Sequence, residues 1–375
     1  MDSPKLVYIG LGSNLGDRFK TLQEAIDLMH KEVGAVSKIS RVYKSEAVGF
    51  DGPEFLNAAI QLKTYLPPGK LLKKLQSIEK AFGRKKKSSG EYESRNMDLD
   101  LLFYDAEVRS TKRLDIPHPE LANRRFVLQP LMDLDAQHVH PVLGKTSEEL
   151  LLECQDRSPV EPINIWLKNP TKAIDFSAYN YIAIEGNIGA GKTSLARMIS
   201  REFNAKLILE RFADNPFLPK FYEEPQRYAF TLEMSFLADR YQQISDDLSQ
   251  LDLFKDFIVS DYDVFKSLIF SKITLPEDEF MLYRKLFYQV YKDIAKPDLY
   301  VYLYQDTERL QQNIRKRGRQ YEQNIDAEYL DKINAGYLEF LRNQSELKVK
   351  RIDISELDFV KNRSDYLSIL NQIIG

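Results

Sequence analysis

The chain has 375 residues, 43% hydrophobic and 29% charged, so it is long enough and apolar enough for two folded domains. Lys and Arg number 53 against 56 Asp and Glu, and a net charge of -3 gives no general affinity for nucleic acid. Cys154, the only cysteine, excludes an internal disulfide and a zinc site built on several thiolates. Neither a signal peptide nor a membrane span is evident. We therefore expect a cytoplasmic enzyme that binds small molecules, with no nucleic-acid or membrane partner.

The first part of the chain alternates irregularly between strand and helix patterns. Apolar runs predict strands at 5–11, 56–62 and 99–104, and helical spacing of apolar residues predicts helices over 22–29 and 67–82. Such interleaving with non-sequential strands predicts an α+β domain.

The second part has a regular alternation of strands and helices, which predicts an α/β domain with a parallel sheet. Its predicted strands are 181–185, 206–209, 257–260, 299–304 and 350–354. Between the two parts the periodicity fades and prolines recur. We therefore predict a first domain over 1–156, a linker over 157–179 and a second domain over 180–375.

A complete phosphate-loop motif begins the second domain. It follows an apolar strand, precedes a helix and consists of Gly186, Asn187, Ile188, Gly189, Ala190, Gly191, Lys192 and Thr193. Glycines let backbone N–H groups face phosphates, the lysine reaches the terminal phosphates, and the threonine hydroxyl binds Mg²⁺. A glycine-rich turn without a ligand is the alternative. The flanking strand and helix favour an ATP site.

Two later features narrow the class of nucleotide site. Asp261 ends the strand at 257–260, where a carboxylate near Mg²⁺ is expected. The run 315–319 holds four cations after a late strand and helix, where a lid over ATP would lie, although such runs are usually solvated. A GTPase is disfavoured because no Asn-Lys-x-Asp motif is present.

These motifs, with Asn215-Pro216-Phe217 after Asp214 and the stretch 228–233, resemble the deoxynucleoside kinase family over 181–375. The resemblance is greatest to bacterial deoxyadenosine and deoxyguanosine kinases. It implies ATP as phosphoryl donor and Mg²⁺ held by Thr193 and Asp261. It also implies that Glu210 is the general base and that Arg317 and Arg319 bind the transferring phosphoryl group. Glu322 would bind the sugar, and Glu233 would bind the edge of the base.

Two departures from that family affect the expected chemistry. Tyr262 stands where the family often has arginine, so one phosphate-stabilising charge must come from elsewhere, and Arg240 is our candidate. Glu233 replaces a common glutamine, and a carboxylate suits a base edge rich in hydrogen-bond donors. We predict a purine substrate, with deoxyadenosine favoured by the overall resemblance and deoxyguanosine left open.

Asp98-Leu99-Asp100 is the chemically most suggestive motif of the first domain. On a strand both carboxylates share one face while Leu99 faces the other, and hard oxygens so placed suit Mg²⁺. A half-exposed strand with a polar face is the alternative. Nearby basic residues favour a polyphosphate with bridging Mg²⁺; they are Arg84, Arg95, His118 and Arg124.

With Gly12-Ser13-Asn14-Leu15, the stretch 55–59, Gln76, Gly83-Arg84 and Pro117-His118, this motif resembles 6-hydroxymethyl-7,8-dihydropterin pyrophosphokinase over 5–154. The resemblance implies an α+β ferredoxin-like fold and pyrophosphate transfer from ATP to the pterin. Asp98 and Asp100 would then hold Mg²⁺, and Asn57 would read the pterin edge. Phe55 and Phe126 would stack on the ring, with plain core packing as the alternative. The ATP site would be lined by Gln76, Arg84, Arg95, His118 and Arg124.

Some questions remain open at this level. The family's mobile loop is altered at Tyr92-Glu93-Ser94, and Tyr262 is a departure in the second domain. One domain could therefore be a silent nucleotide sensor that regulates the other. Helices over 228–251 and 277–295 suggest a homodimer through the second domain.

Overall fold

The computed structural model describes residues 3–47, 50–83, 94–211, 215–249, 254–292, 294–345 and 347–375. The chain forms two compact units that divide between Ile174 and Asp175. Within the described residues, no helix combines the length and the apolar character required to cross a membrane.

Unit 1 contains eight strands and four α-helices among its described residues. In chain order they are β1 (Lys5–Ser13), α1 (Arg18–Glu32), β2 (Gly34–Ile39), β3 (Val42–Ser45), β4 (Phe55–Thr64), α2 (Pro68–Ala81), β5 (Asp98–Tyr104), β6 (Arg109–Thr111), β7 (Leu114–Ile116), α3 (Arg125–Leu134), α4 (Ser147–Glu153) and β8 (Val160–Ile163). The main sheet has the order β5-β1-β4-β3-β8, with β2 also paired to β4. The succession β1-α1-β2-β4-α2-β5 with β1 central is the ferredoxin-like arrangement, so the predicted α+β class is confirmed.

The sheet of unit 1 is covered on both faces, and strand alternation decides which residues face which layer. Leu99 and Leu101 of β5 pack in the core formed with α1 and α2. Leu102 and Phe103 belong to the opposite core, formed with α3 and α4. Asp98 and Asp100, which alternate with Leu99, therefore lie on the face that carries α3.

The stretch 157–179 contains regular structure. Strand β8 pairs antiparallel with β3, with Pro162 opposite Tyr43, and a 3-10 turn spans Pro170–Ala173. Proline is compatible with an edge strand because it has no N–H to donate to a further neighbour. This explains why the sequence periodicity fades here although the backbone is paired.

Unit 2 is built around five parallel strands in the order β10-β11-β9-β12-β13. Its elements are β9 (Tyr181–Gly186), α5 (Lys192–Glu202), β10 (Lys206–Ile208), α6 (Leu218–Glu223), α7 (Pro225–Ser249), β11 (Ile258–Ser260), α8 (Lys266–Thr274), α9 (Glu277–Val290), β12 (Leu299–Tyr304), α10 (Thr307–Arg317), α11 (Ala327–Arg342), β13 (Val349–Asp353) and α12 (Arg363–Ile374). The predicted parallel sheet is confirmed. The loops that leave the carboxyl ends of β9, β10 and β11 meet at one edge, where ligands bind in such folds.

Candidate active sites

The phosphate loop joins β9 to α5 and depends on glycine at two positions. Gly189 and Gly191 have φ of +87° and +85°, a region that other residues rarely adopt. A Cβ on Gly189 would lie 3.0 Å from the Leu310 carbonyl oxygen, and one on Gly191 would lie 2.8 Å from the Phe359 ring. The loop thus packs closely against α10 and the segment before α12, which leaves no room for a side chain at either glycine.

Lys192 turns back onto the loop that precedes it. Its ammonium donates to the carbonyl oxygens of Gly186 at 2.8 Å and Asn187 at 2.9 Å. Burial, with the nearby Lys266 charge, lowers the pKa of Lys192 to about 8. A lysine with this environment gains from a polyphosphate, because the anion restores the charge compensation that burial removes.

Thr193 and Asp261 meet beside the loop. The Thr193 hydroxyl donates to Asp261 Oδ2, and the Glu210 backbone N–H donates to Oδ1 at 2.8 Å. Burial raises the pKa of Asp261. A hydroxyl and a carboxylate oxygen in contact beside a phosphate loop are hard donors, which is the donor set that Mg²⁺ prefers.

Glu210 lies two residues beyond β10 and is held by two cations. Arg240 donates to its Oε1 through Nε at 2.9 Å and Nη2 at 2.6 Å, and Lys266 donates to Oε2 at 2.6 Å. Burial alone would raise the pKa of Glu210, but Lys266 and Arg240 outweigh it and lower the pKa to about 2. The side chain is therefore an ionised proton acceptor at neutral pH.

The basic run after α10 divides between solvent and site. Arg315 and Lys316 are exposed, whereas Arg317 and Arg319 line the same cavity as Glu210. Both of these arginines donate to Glu322, Arg317 Nη2 to Oε2 and Arg319 Nη1 to Oε1 at 3.1 Å. Glu322 is buried in the cavity wall. The basic run 315–319 therefore has two cations outside the cavity, Arg315 and Lys316, and two that line it, Arg317 and Arg319.

Glu233 projects from α7 into that cavity, which has a volume of about 820 Å³. The Thr274 hydroxyl donates to Glu233 Oε1 at 3.2 Å, and no described group is bonded to the buried Oε2. Burial raises the pKa of Glu233 to about 7. The carboxyl group can therefore accept and, when protonated, donate a hydrogen bond near neutral pH.

Glu233→Gln is expected to make unit 2 more stable at alkaline pH. A folded-state pKa above the ordinary 4.5 gives a stability contribution that is complete below pH 4.5 and is lost as pH rises through about 7. Glutamine does not titrate, so at pH 8.5 the variant should gain up to about 3 kcal/mol in the free energy of unfolding. Thermal unfolding from pH 5 to 9 measures this, with the exposed Glu339→Gln as control. Parallel profiles for Glu233→Gln and wild type would contradict the prediction.

Unit 1 has a second open cavity, of about 940 Å³, on the α3 face of its sheet. Asp98 and Asp100 both line it, and Arg95 Nη1 donates to Asp98 Oδ2 at 2.7 Å. Burial raises the pKa of Asp100, and the Asp98 charge raises it further. Two mutually repelling carboxylates that share one face gain from a divalent cation, so the residues fit Mg²⁺.

Aromatic and amide side chains form the other wall of this cavity. Phe55 of β4 and Phe126 of α3 line it, and so does Asn57, whose Nδ2 donates to the Ser45 hydroxyl at 2.9 Å. Phe50 packs edge-on against Phe55, with 6.2 Å between ring centroids. A flat heterocycle with a polar edge is the ligand that suits two aromatic rings and a buried amide.

The remaining predicted residues of unit 1 are placed differently. Arg124 lines the cavity, and His118 Nε2 lies 3.9 Å from Asp100 Oδ1. Gln76 is exposed on α2 and does not line it. Arg84, Tyr92 and Glu93 lie outside the described residues, as does Asp214 of unit 2.

Sequence reasoning missed Lys266 and Phe50, and it placed Arg240 only as a source of phosphate charge. Arg240 lines the cavity and holds Glu210, and its remaining nitrogen donates to Ser267 at 2.7 Å. Tyr262 is fully buried and does not line the cavity. One local feature of the sequence could have indicated a role for Lys266: it is the only charged residue between Phe265 and Phe270, at the largely apolar start of α8.

Fold and site together define unit 2 as a P-loop phosphotransferase and unit 1 as an α+β domain with a paired-carboxylate site. The family model for deoxynucleoside kinase matches residues 182–374, and that for 7,8-dihydro-6-hydroxymethylpterin-pyrophosphokinase matches residues 8–136. The chain belongs to both families, as a fusion of one member of each.

Two relatives, one for each unit, agree with this assignment. Deoxyguanosine kinase of Bacillus subtilis is 36% identical over 190 residues, which cover 50% of this chain and 92% of that protein. The pyrophosphokinase of Aquifex aeolicus named 2-amino-4-hydroxy-6-hydroxymethyldihydropteridine pyrophosphokinase is 41% identical over 144 residues, covering 38% of this chain and 88% of that protein. A solved structure of deoxyadenosine kinase from M. mycoides has 26% identity and a TM-score of 0.44, and covers 52% of this chain and 98% of its own.

Proposed function

We propose that the chain is a bifunctional ATP-dependent enzyme. Unit 1 transfers pyrophosphate from ATP to 6-hydroxymethyl-7,8-dihydropterin and releases AMP. Unit 2 phosphorylates the 5′-hydroxyl of a purine deoxynucleoside, with deoxyadenosine favoured over deoxyguanosine. The observation that supports the kinase proposal most directly is one cavity lined by Lys192, Glu210, Glu233, Arg317 and Glu322.

In unit 2, Glu210 accepts the proton of the substrate 5′-hydroxyl. The 5′-oxygen forms a bond to the γ-phosphorus of ATP while the bond from that phosphorus to the β–γ bridging oxygen breaks, and ADP leaves. Lys192, Arg317 and Arg319 offset the charge on the transferring group. Glu322 binds the sugar 3′-hydroxyl. Thr193 and Asp261 would hold Mg²⁺, which would supply further neutralisation of the phosphate charge.

In unit 1, the pterin hydroxymethyl oxygen loses its proton to water and forms a bond to the β-phosphorus of ATP, while the bond from that phosphorus to the α–β bridging oxygen breaks and AMP leaves. Asn57 binds the pterin edge and Phe55 with Phe126 stacks on the ring. Arg95 and Arg124 bind the phosphate chain, with Gln76, Arg84 and His118 proposed to complete the ATP site. Asp98 and Asp100 would hold Mg²⁺, which would supply activation of the attacking oxygen and charge neutralisation.

The choice of purine depends on the protonation of Glu233. A protonated carboxyl accepts from adenine N6–H₂ and donates to adenine N1, whereas an ionised one accepts from guanine N1–H and N2–H₂. A pKa of about 7 makes both forms available near neutral pH. This supports a purine substrate, with deoxyadenosine favoured in the protonated form.

Turnover of MgATP with each of the four deoxynucleosides tests this proposal. We expect both purines to exceed both pyrimidines in kcat/KM, and the ratio of deoxyadenosine to deoxyguanosine to fall as pH rises from 6 to 8. Glu339→Gln, whose side chain lies outside the cavity, should give the wild-type ratio. Thymidine as best substrate would contradict the role of Glu233.

Exposed apolar side chains on α7 and α9, including Tyr241, Met281, Leu282 and Tyr288, support a homodimer through unit 2. The cytoplasmic location stays a prediction.

A further inference from the structure

Lys266 is a buried lysine at the start of α8 that none of the roles above uses. Its side chain is 11% exposed and lines the cavity of unit 2. The ammonium lies 2.6 Å from Glu210 Oε2 and 5.5 Å from the centroid of the Phe270 ring. Burying a lysine in such surroundings is unfavourable unless its charge is compensated, so the position requires a physical reason.

Glu210 has a second cationic partner besides Lys266. Arg240 already donates twice to Glu210 Oε1 and once to Ser267, and its side chain is 4% exposed. The cluster of Arg240, Glu210 and Lys266 thus has two positive charges and one negative charge. Two further buried acids lie nearby, and neither is hydrogen-bonded to Lys266: Glu185 accepts from the Asp263 N–H and the Tyr337 hydroxyl, and Asp261 accepts from the Glu210 N–H and the Thr193 hydroxyl. The excess of one positive charge is therefore a property of the three-residue cluster itself.

An ammonium has three donors, and the contact with Glu210 uses one of them. Lys266 also lies close enough to Lys192 for its charge to contribute to the lowered pKa of that phosphate-loop lysine. Two lysines that share one cavity wall repel each other unless an anion lies between them. The chemistry of the anion that would satisfy both is that of a polyphosphate.

We propose that Lys266 is a positioning residue for phosphoryl transfer that holds Glu210 with one N–H and directs its other donors to the transferring phosphoryl group. This inference rests on the proposed kinase function of unit 2. In the step itself the 5′-hydroxyl proton moves to Glu210, the 5′-oxygen bonds to the γ-phosphorus, and ADP leaves with the β–γ bridging oxygen. Lys266 transfers no proton; it fixes the carboxylate and offsets its repulsion of the phosphoryl oxygens. It thereby supplies the charge that the buried Tyr262 does not.

The test compares Lys266→Met and Lys266→Arg in the full chain with Lys272→Met, a lysine of the same helix that forms an exposed ion pair with Glu339. With MgATP and the best deoxynucleoside, we expect Lys266→Met to lower kcat about 10²- to 10³-fold with the nucleoside KM nearly unchanged. Lys266→Arg, which keeps the charge, should have a kcat at least about tenfold higher than that of Lys266→Met. Lys272→Met should match wild type, and thermal unfolding should show all three variants folded.

The outcomes separate this inference from the proposed function. A kcat for Lys266→Met close to that of wild type would overturn the role of Lys266 while leaving the kinase function intact. Failure of arginine to restore any turnover in a folded variant would overturn it as well. Should the methionine variant not fold, Lys266→Gln takes its place with the same expected loss. If wild type phosphorylates no deoxynucleoside, the proposed function and this inference both fail.

Discussion

Glu210→Gln is expected to lower the rate of deoxynucleoside phosphorylation by about 10²- to 10⁴-fold, the contribution typical of a positioned general base. Glutamine keeps the shape of the side chain but cannot take the 5′-hydroxyl proton. It has one acceptor oxygen, so it can accept from Arg240 or from Lys266 but not from both. The nucleoside KM should change little, because Glu233 and Glu322 still bind the base and the sugar. Steady-state kinetics with the purine deoxynucleosides measure the effect.

Stability must be measured alongside, because the substitution leaves two buried cations without their carboxylate. Removing one partner of a buried ion pair destabilises proteins by about 3–5 kcal/mol. Thermal unfolding defines the temperature at which the variant is folded, and kinetics are compared there. The pterin reaction of the same preparation should retain its wild-type rate. A folded Glu210→Gln variant with wild-type kcat would exclude Glu210 as the base.

Asp100→Asn is expected to abolish most pyrophosphoryl transfer by unit 1 without destabilising it. Loss of one group that stabilises transition-state charge lowers rates about 10²- to 10³-fold. Burial and the Asp98 charge raise the pKa of Asp100, so a charged carboxylate at this position costs free energy in the folded state, and asparagine removes that cost. AMP release with MgATP and the pterin measures activity, and thermal unfolding measures stability.

Asp115→Asn is the matched control, because Asp115 is exposed in β7 of the same unit, where its Oδ1 accepts from the Ser110 hydroxyl at 2.8 Å. It should retain both the pterin and the nucleoside reactions. Asp100→Asn should retain the nucleoside reaction alone. A variant that loses pterin activity and also unfolds at lower temperature would indicate that Asp100 is structural.

The features that sequence predicts best are those set by neighbours along the chain. The phosphate loop needs its glycines, lysine and threonine in consecutive positions, and its strand and helix follow directly. Asp98 and Asp100 share a face because alternation on a strand is local. These patterns therefore predicted the parallel sheet of unit 2, part of the sheet of unit 1, and the residues at the centre of each candidate site.

What the sequence could not predict depends on contacts between distant elements. Lys266 and Arg240 lie 56 and 30 residues from Glu210, and only the packing of α7 and α8 against the end of β10 brings them together. The edge strand β8 was hidden for a related reason, because its pairing with β3 joins segments more than 100 residues apart in a proline-containing stretch.

The most direct test of the account is the nucleotide that one preparation of the full chain releases from MgATP with each substrate. We predict AMP with 6-hydroxymethyl-7,8-dihydropterin and ADP with a purine deoxynucleoside. Asp100→Asn should remove only the first product and Glu210→Gln only the second. Binding of ATP without product in either reaction would contradict the account and indicate that the corresponding unit is a nucleotide sensor.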